Sequence, residues 1–243
     1  MNFLRHWLQS PEKARAIPYI LFVLPIYLGG KFGPESYYWV YFGRTLLGAL
    51  LIWIMWPLVK ELRFALSWEA VVVGVAVFAM WVGIDPLYPG TFDLLQPVGG
   101  WLKQFGLGFL AGDGTKPPEW NPFTHFGDGA ALAWFFVIMR ILGSSLVVPA
   151  LEEVFFRSFL YRWIAKPDFQ SLPLNYFAWK PFLINAVLFG FIHNEWLAGI
   201  LCGFAYQWLV LRKNRLGDAM TAHAITNCLL GIWVVWQGAW QFW

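Results

Sequence analysis

The chain has 243 residues, of which 59% are hydrophobic, 20% aromatic and only 13% charged. A soluble domain of this length carries about a quarter charged residues, so the composition reads as an all-α, polytopic membrane protein. The formal net charge of +3, with no basic run longer than Arg212-Lys213-Asn214-Arg215, excludes a nucleic-acid-binding reading.

Residues 1–16 are expected to form a short interfacial helix, with Phe3, Leu4, Trp7 and Leu8 on one side. A first span is expected over 17–30, uncleaved because no small-x-small site follows it. The second covers 38–58, opened by Tyr37, Tyr38 and Trp39 and closed by Lys60 and Arg63 as interface anchors, and the third covers 68–85. Arg44 and Glu69 lie near span ends and read as snorkelling side chains. Residues 86–129 carry six prolines and read as a long loop, either a lid or substrate guide or a passive interfacial segment.

From 130 to 165 the chain is apolar for about 36 residues, about 54 Å at helical rise and too long for one ordinary span. Pro149 is the expected break, giving elements over 130–148 and 149–165. A connector over 166–180 precedes three more elements, over 181–194, 196–211 and 218–236, for eight in all. An interfacial aromatic tail follows over 237–243. Eight full crossings would put Arg212 to Arg215 on the opposite side from the amino-terminal charges. Seven crossings plus a re-entrant piece would restore the positive-inside tendency, and both arrangements stay open. Arg140 is expected to pair with an acid or a carbonyl, and the last tryptophans to form a belt. Cys202 and Cys228 read as packing residues, and His6 and His125 as ordinary polar residues.

Two carboxylates and an arginine stand inside the apolar stretch, at Glu152, Glu153 and Arg157. Each costs roughly 2.5–3.5 kcal/mol at a membrane centre, so the three need a reason to be there. Glu153 and Arg157 are four residues apart and can pair, whereas Glu152 points about 100° away toward Phe155 and Phe156. An unpaired carboxylate in apolar surroundings is a candidate proton acceptor. The same residues also fit a helix start at Pro149, with acids facing the dipole. Downstream, His193 follows Phe189 by four residues, and His223 precedes Asn227 by four. Together these groups supply what water-mediated peptide hydrolysis requires: a base at Glu152, an assisting imidazole at His193, and donors for an oxyanion at His223 and Asn227.

The order Glu-Glu-x-x-x-Arg, Phe-x-x-x-His, His-x-x-x-Asn resembles the CAAX protease and bacteriocin-processing family of intramembrane proteases. The wording around Phe155-Phe156-Arg157-Ser158 and His193-Asn194-Glu195-Trp196 is similar to its bacterial branch found beside exosortase systems. The resemblance implies a catalytic core over 130–236, with 1–129 carrying no matched motif. It implies Glu152, His193, His223 and Asn227 as catalytic, with Glu153, Arg157 and Phe189 in support. No cofactor is favoured, since the zinc pattern His-Glu-x-x-His is absent, but Glu152, His193 and His223 stay open as a zinc set. Expected partners are membrane lipids, a membrane-associated peptide or protein and exosortase-system proteins, in a bacterial cytoplasmic membrane. A non-catalytic peptide-binding or immunity-type scaffold is the alternative, and an ion-coupled transporter, lacking the usual two similar halves, ranks behind it.

Overall fold

The computed structural model describes residues 10–29, 31–95, 97, 99–105 and 119–243. The expected apolar face of Phe3, Leu4, Trp7 and Leu8, together with His6, lies outside these residues. Among the described residues the regular structure is helical, with one isolated bridge between Lys31 and Gly33. Seven principal helices form the bundle: α1 Pro11–Val23, α2 Ser36–Met55, α3 Trp68–Ile84, α4 Ala131–Ala165, α5 Trp179–Phe191, α6 Trp196–Lys213 and α7 Gly217–Gln237. Four are long and apolar enough to cross a membrane: α2, α3 with its extension to Leu87, α4 and α7; α5 is a shorter apolar helix. The chain is a polytopic helical membrane protein.

Helix starts follow local chemistry. Ser10 accepts from the Lys13 N–H at the head of α1, where Pro11 occupies the first turn, and Ser67 accepts from the Ala70 N–H at the head of α3. At its other end α6 stops at Asn214 in the left-handed region, φ 49°, one of the few residue types that tolerates it.

The expected break at Pro149 does not occur. Helix α4 runs unbroken from Ala131 to Ala165, and two wide π-type stretches, Gly143–Val147 and Val154–Leu160, absorb the strain. A proline inside an α-helix clashes with the carbonyl four residues back and removes a donor. Widening the turn relieves the clash, and the Val148 N–H accordingly bonds the Gly143 carbonyl five residues back. The next carbonyl in that register, Ser144, would look to the N–H of residue 149, which proline lacks. Glu152 and Glu153 therefore sit in the middle of a long helix and not at a helix start.

One continuous α4 also settles which charges share an end. Arg15 at the start of α1 bonds Ser158 near the end of α4 (3.0 Å) and Glu61 in the α2–α3 connection (2.8 Å). Arg162 reaches the same Glu61 oxygen at 3.1 Å, and Lys213 at the end of α6 pairs with Glu69 at 2.6 Å. Arg15, Lys60, Arg63, Arg162 and Arg215 line one depression at this end. Arg15 and the Arg212 to Arg215 cluster thus lie on the same side of the bundle. Glu69 is paired and does not snorkel.

Helices α5 and α6 approach backbone to backbone through Ala186 and Gly190 on one and Gly199 and Gly203 on the other, the small-x-x-x-small pattern of membrane helix pairs. A Cβ at Gly199 would lie 2.8 Å from the Gly190 Cα, so a larger residue there would force the helices apart.

Candidate active site

The contacts of α4 with α7 and α5 bring the three sequence motifs to one place. Glu152, Phe189, His193, His223 and Asn227 line a single cavity of about 380 Å³. Glu152 is 8% exposed, Glu153 and Arg157 are 0% exposed.

The neighbouring glutamates have different partners. Glu153 Oε1 accepts from His223 Nδ1 at 2.9 Å, and its Oε2 faces Arg157 Nε at 3.2 Å. The Arg157 guanidinium lies 4.0 Å from the centroid of the Phe189 ring. The cation is held by a carboxylate on one side and a π face on another, a stabilising arrangement in a desolvated site. Glu153 Oε2 and the Arg157 nitrogens are buried with only that ion pair and no hydrogen bond between them, whereas Glu152 Oε2 is buried with neither a hydrogen bond nor an ion pair among the described residues.

Both histidines have one nitrogen committed. His193 Nδ1 lies 2.8 Å from the Phe189 carbonyl, which only accepts, so Nδ1 carries the proton and Nε2 is an acceptor. His223 stacks on Tyr206, ring centroids 5.0 Å apart, with its own Nε2 left over from the bond to Glu153. His193 sits just past the end of α5, not within it, yet its ring still packs on Phe189 at 4.9 Å, as the four-residue spacing predicts, and on Trp81 at 5.5 Å.

Asn227 Nδ2 donates to the Ser144 carbonyl at 2.8 Å. This is the carbonyl that the wide turn and Pro149 leave without a backbone donor, so the proline and the asparagine complete one another. One of the two Asn227 amide protons is committed there and the other is available. One residue earlier on α7, Thr226 donates to the Gly74 carbonyl of α3 and accepts from Tyr206 of α6, each at 2.8 Å. These bonds fix the rotation of α7, and with it the direction of His223.

Several groups that the sequence reading set aside prove to belong here. Arg44 does not snorkel to an interface: it lines the cavity, with its Nε buried and unpartnered. Arg140 also lines the cavity and, contrary to expectation, pairs with neither an acid nor a carbonyl among the described residues; it lies over Trp120, Tyr41 and Trp243 at 4.5, 4.8 and 5.5 Å. Trp243 is not a belt residue but packs against Trp120 at 5.6 Å on the cavity wall. The start of the 86–129 loop is docked, with Thr91 Oγ1 donating to the His193 carbonyl at 2.7 Å and Pro89 accepting from Trp196 Nε1 at 3.0 Å. No motif marks Thr91, Arg44 or Arg140. Their only signals are charge inside an apolar span and a proline-rich segment of the right length. Cys202 is a free thiol buried on the cavity wall, and Cys228 is a free thiol as well. His125 lies apart, stacked on Tyr38.

Among the described residues no group of three or more histidine, cysteine, aspartate or glutamate side chains is placed to hold a metal ion.

Residues 130–229 match the family model described as Rce1-like, type II CAAX prenyl endopeptidase Rce1-like. No curated protein and no solved structure matches the chain. The matched segment takes in every motif residue of the site, from Glu152 to Asn227, while α1, α2 and α3 complete the cavity wall from outside it. Residues 130–229 are thus an Rce1-like segment, consistent with the CAAX protease and bacteriocin-processing family that the motifs resemble.

Proposed function

We propose that the chain is an intramembrane endopeptidase in which Glu152 activates water to hydrolyse a membrane-associated peptide or protein. One observation carries the reading: of two adjacent buried glutamates, Glu153 is consumed by His223 and Arg157, whereas Glu152 Oε2 is unpartnered on the wall of a cavity it shares with both histidines. In this scheme Glu152 takes a proton from water while His193 Nε2, an acceptor, orients it. The water oxygen bonds the peptide carbonyl carbon. The oxyanion is met by the second Asn227 amide proton and by His223 Nε2 when that nitrogen is protonated. Collapse breaks the C–N bond, and the proton held by Glu152 passes to the leaving amine. No step is routed through a metal.

The same reading assigns the chain to a bacterial cytoplasmic membrane. The basic end faces the cytoplasm by the positive-inside tendency, and the cavity then opens toward the other face, since it is lined by the later part of α1, the earlier part of α2 and the chain end at Trp243. A sorting-signal helix from an exosortase-type system suits a cavity so placed.

The test compares membranes of a deletion strain carrying the parent, Glu152→Gln, His193→Ala or His223→Ala at matched levels, with proteomics for uncleaved precursors. The expected result is one precursor accumulating in all three variants and not in the parent. Normal processing in all three overturns the reading.

A further inference from the structure

We infer that Arg44 and Arg140 form an anion subsite within the cavity that seats a carboxylate of the substrate. Both guanidiniums line the same cavity as Glu152 and approach one ring, Tyr41, from 5.5 Å and 4.8 Å. Arg44 is the ninth residue of α2 and Arg140 the tenth of α4, so each lies about 13 Å along its helix from the cavity-side end. At that depth an uncompensated cation costs a few kcal/mol, and two near each other cost more.

Glu152 lies near enough to act on the Arg44 charge, but not as an ion pair. Neither arginine makes an ion pair among the described residues, including with Glu152 and Glu195, the two carboxylates that line the same cavity. Glu195 accepts instead from Asn194 Nδ2 at 3.1 Å. What surrounds the guanidiniums is aromatic: Arg44 lies 4.3 Å from the Phe22 centroid, and Tyr41 approaches both, at 5.5 Å from Arg44 and 4.8 Å from Arg140. Ring faces hold a guanidinium in place and leave its N–H edge free for an oxyanion. A planar carboxylate is the partner that edge fits best.

The placement relative to Glu152 sets a length. Twelve residues of helix separate Arg140 from Glu152, about 18 Å, and an extended peptide covers about 3.3–3.6 Å per residue. Side chains reaching toward one another shorten the gap, so the seated carboxylate lies about three to five residues from the bond attacked. The carboxylate is either the free carboxy terminus of the substrate or an acidic side chain at that spacing. The choice of a peptide rests on the protease reading; the binding of an anion does not.

The test measures binding and not turnover, using the full chain with Glu152→Gln in phosphatidylcholine nanodiscs. The probes are N-lauroyl-tetra-alanine with a free carboxy terminus, its carboxy-terminal amide, and an amide in which the last alanine is replaced by aspartate. Affinity is read from the rise in melting temperature with probe concentration. The free acid or the aspartyl amide is expected to bind about tenfold or more tightly than the plain amide, and whichever does so identifies the source of the carboxylate. Adding Arg44→Gln or Arg140→Gln is expected to remove that preference, while Arg44→Lys and Arg140→Lys keep most of it. Equal binding of all three probes, or an unchanged preference in the glutamine variants, overturns the subsite. Failure of catalysis with the preference intact refutes only the protease reading.

Discussion

The two ends of the bundle treat buried charge in opposite ways. At the basic end Glu61 is satisfied, although Glu69 Oε2 nearby has no hydrogen bond: Glu61 Oε1 is reached by Arg15, Arg162 and the Ser158 hydroxyl, and Arg162 also donates to the carbonyls of Ser158 and Leu172 at 2.6 and 3.0 Å. In the cavity Glu152 Oε2 and Arg44 Nε are buried and unpartnered. Both ends lie along the same helix, α4, and each stands beside one of its wide turns. A satisfied network ties helices together, whereas an unsatisfied one costs stability and persists where a ligand or a reaction uses it. The first end is a staple and the second a site.

That division predicts which variants lose turnover and which lose stability. His193→Ala is expected to lower cleavage by about 10²-fold or more with little change in melting temperature, because the residue is only partly buried and the hydrogen bond of its ring is to a helix-end carbonyl. Comparison of initial rates with thermal melts of the same preparation checks this. Arg157→Met leaves Glu153 buried without its cation and is expected to destabilise the fold by about 3–5 kcal/mol, read as loss of folded protein on mild heating in detergent.

At the staple, Ser158→Ala removes one hydroxyl from Glu61, Arg15 and Arg162 and is expected to cost about 1–3 kcal/mol, with the rate per folded molecule unchanged. Burial pushes the Glu61 carboxyl up, but the Arg15 charge and the Ser158 hydroxyl outweigh it and hold it below the usual carboxylate range. A depressed folded value contributes stability that is present above the unfolded value and is lost as pH falls through the folded one. The parent should therefore lose stability only below about pH 4.5, the ordinary carboxylate range, and Glu61→Gln should flatten that loss. The smallest effect is expected of Thr91→Val, which deletes the bond to the His193 carbonyl at a cost of about 1 kcal/mol. If the docked loop positions His193, turnover falls severalfold while melting hardly moves; a change in melting alone would make Thr91 part of the staple.

The helical class and the motif residues were legible because composition and four-residue spacing are local properties. Glu153 with Arg157, Phe189 with His193 and His223 with Asn227 each share a helix or its immediate extension, so their geometry follows from helical pitch. Pro149 misled because its usual effect is to break a helix, and nothing in a sequence says that the preceding Gly143-Ser144-Ser145 can widen into a turn that accommodates it. The bond from Asn227 to Ser144 spans 83 residues and depends on that widening, so it was out of reach. Arg44 and Arg140 were set aside because an arginine in an apolar span most often snorkels or pairs. Only packing reveals that their surroundings are rings.

The most direct test of the central claim is the cleavage rate of a precursor by purified, reconstituted Glu152→Gln relative to the parent, at equal melting temperature. A glutamine of the same shape cannot accept the proton from water, and the account predicts a loss of about 10²-fold or more. A rate within a few fold of the parent would contradict it and return Glu152 to a structural role.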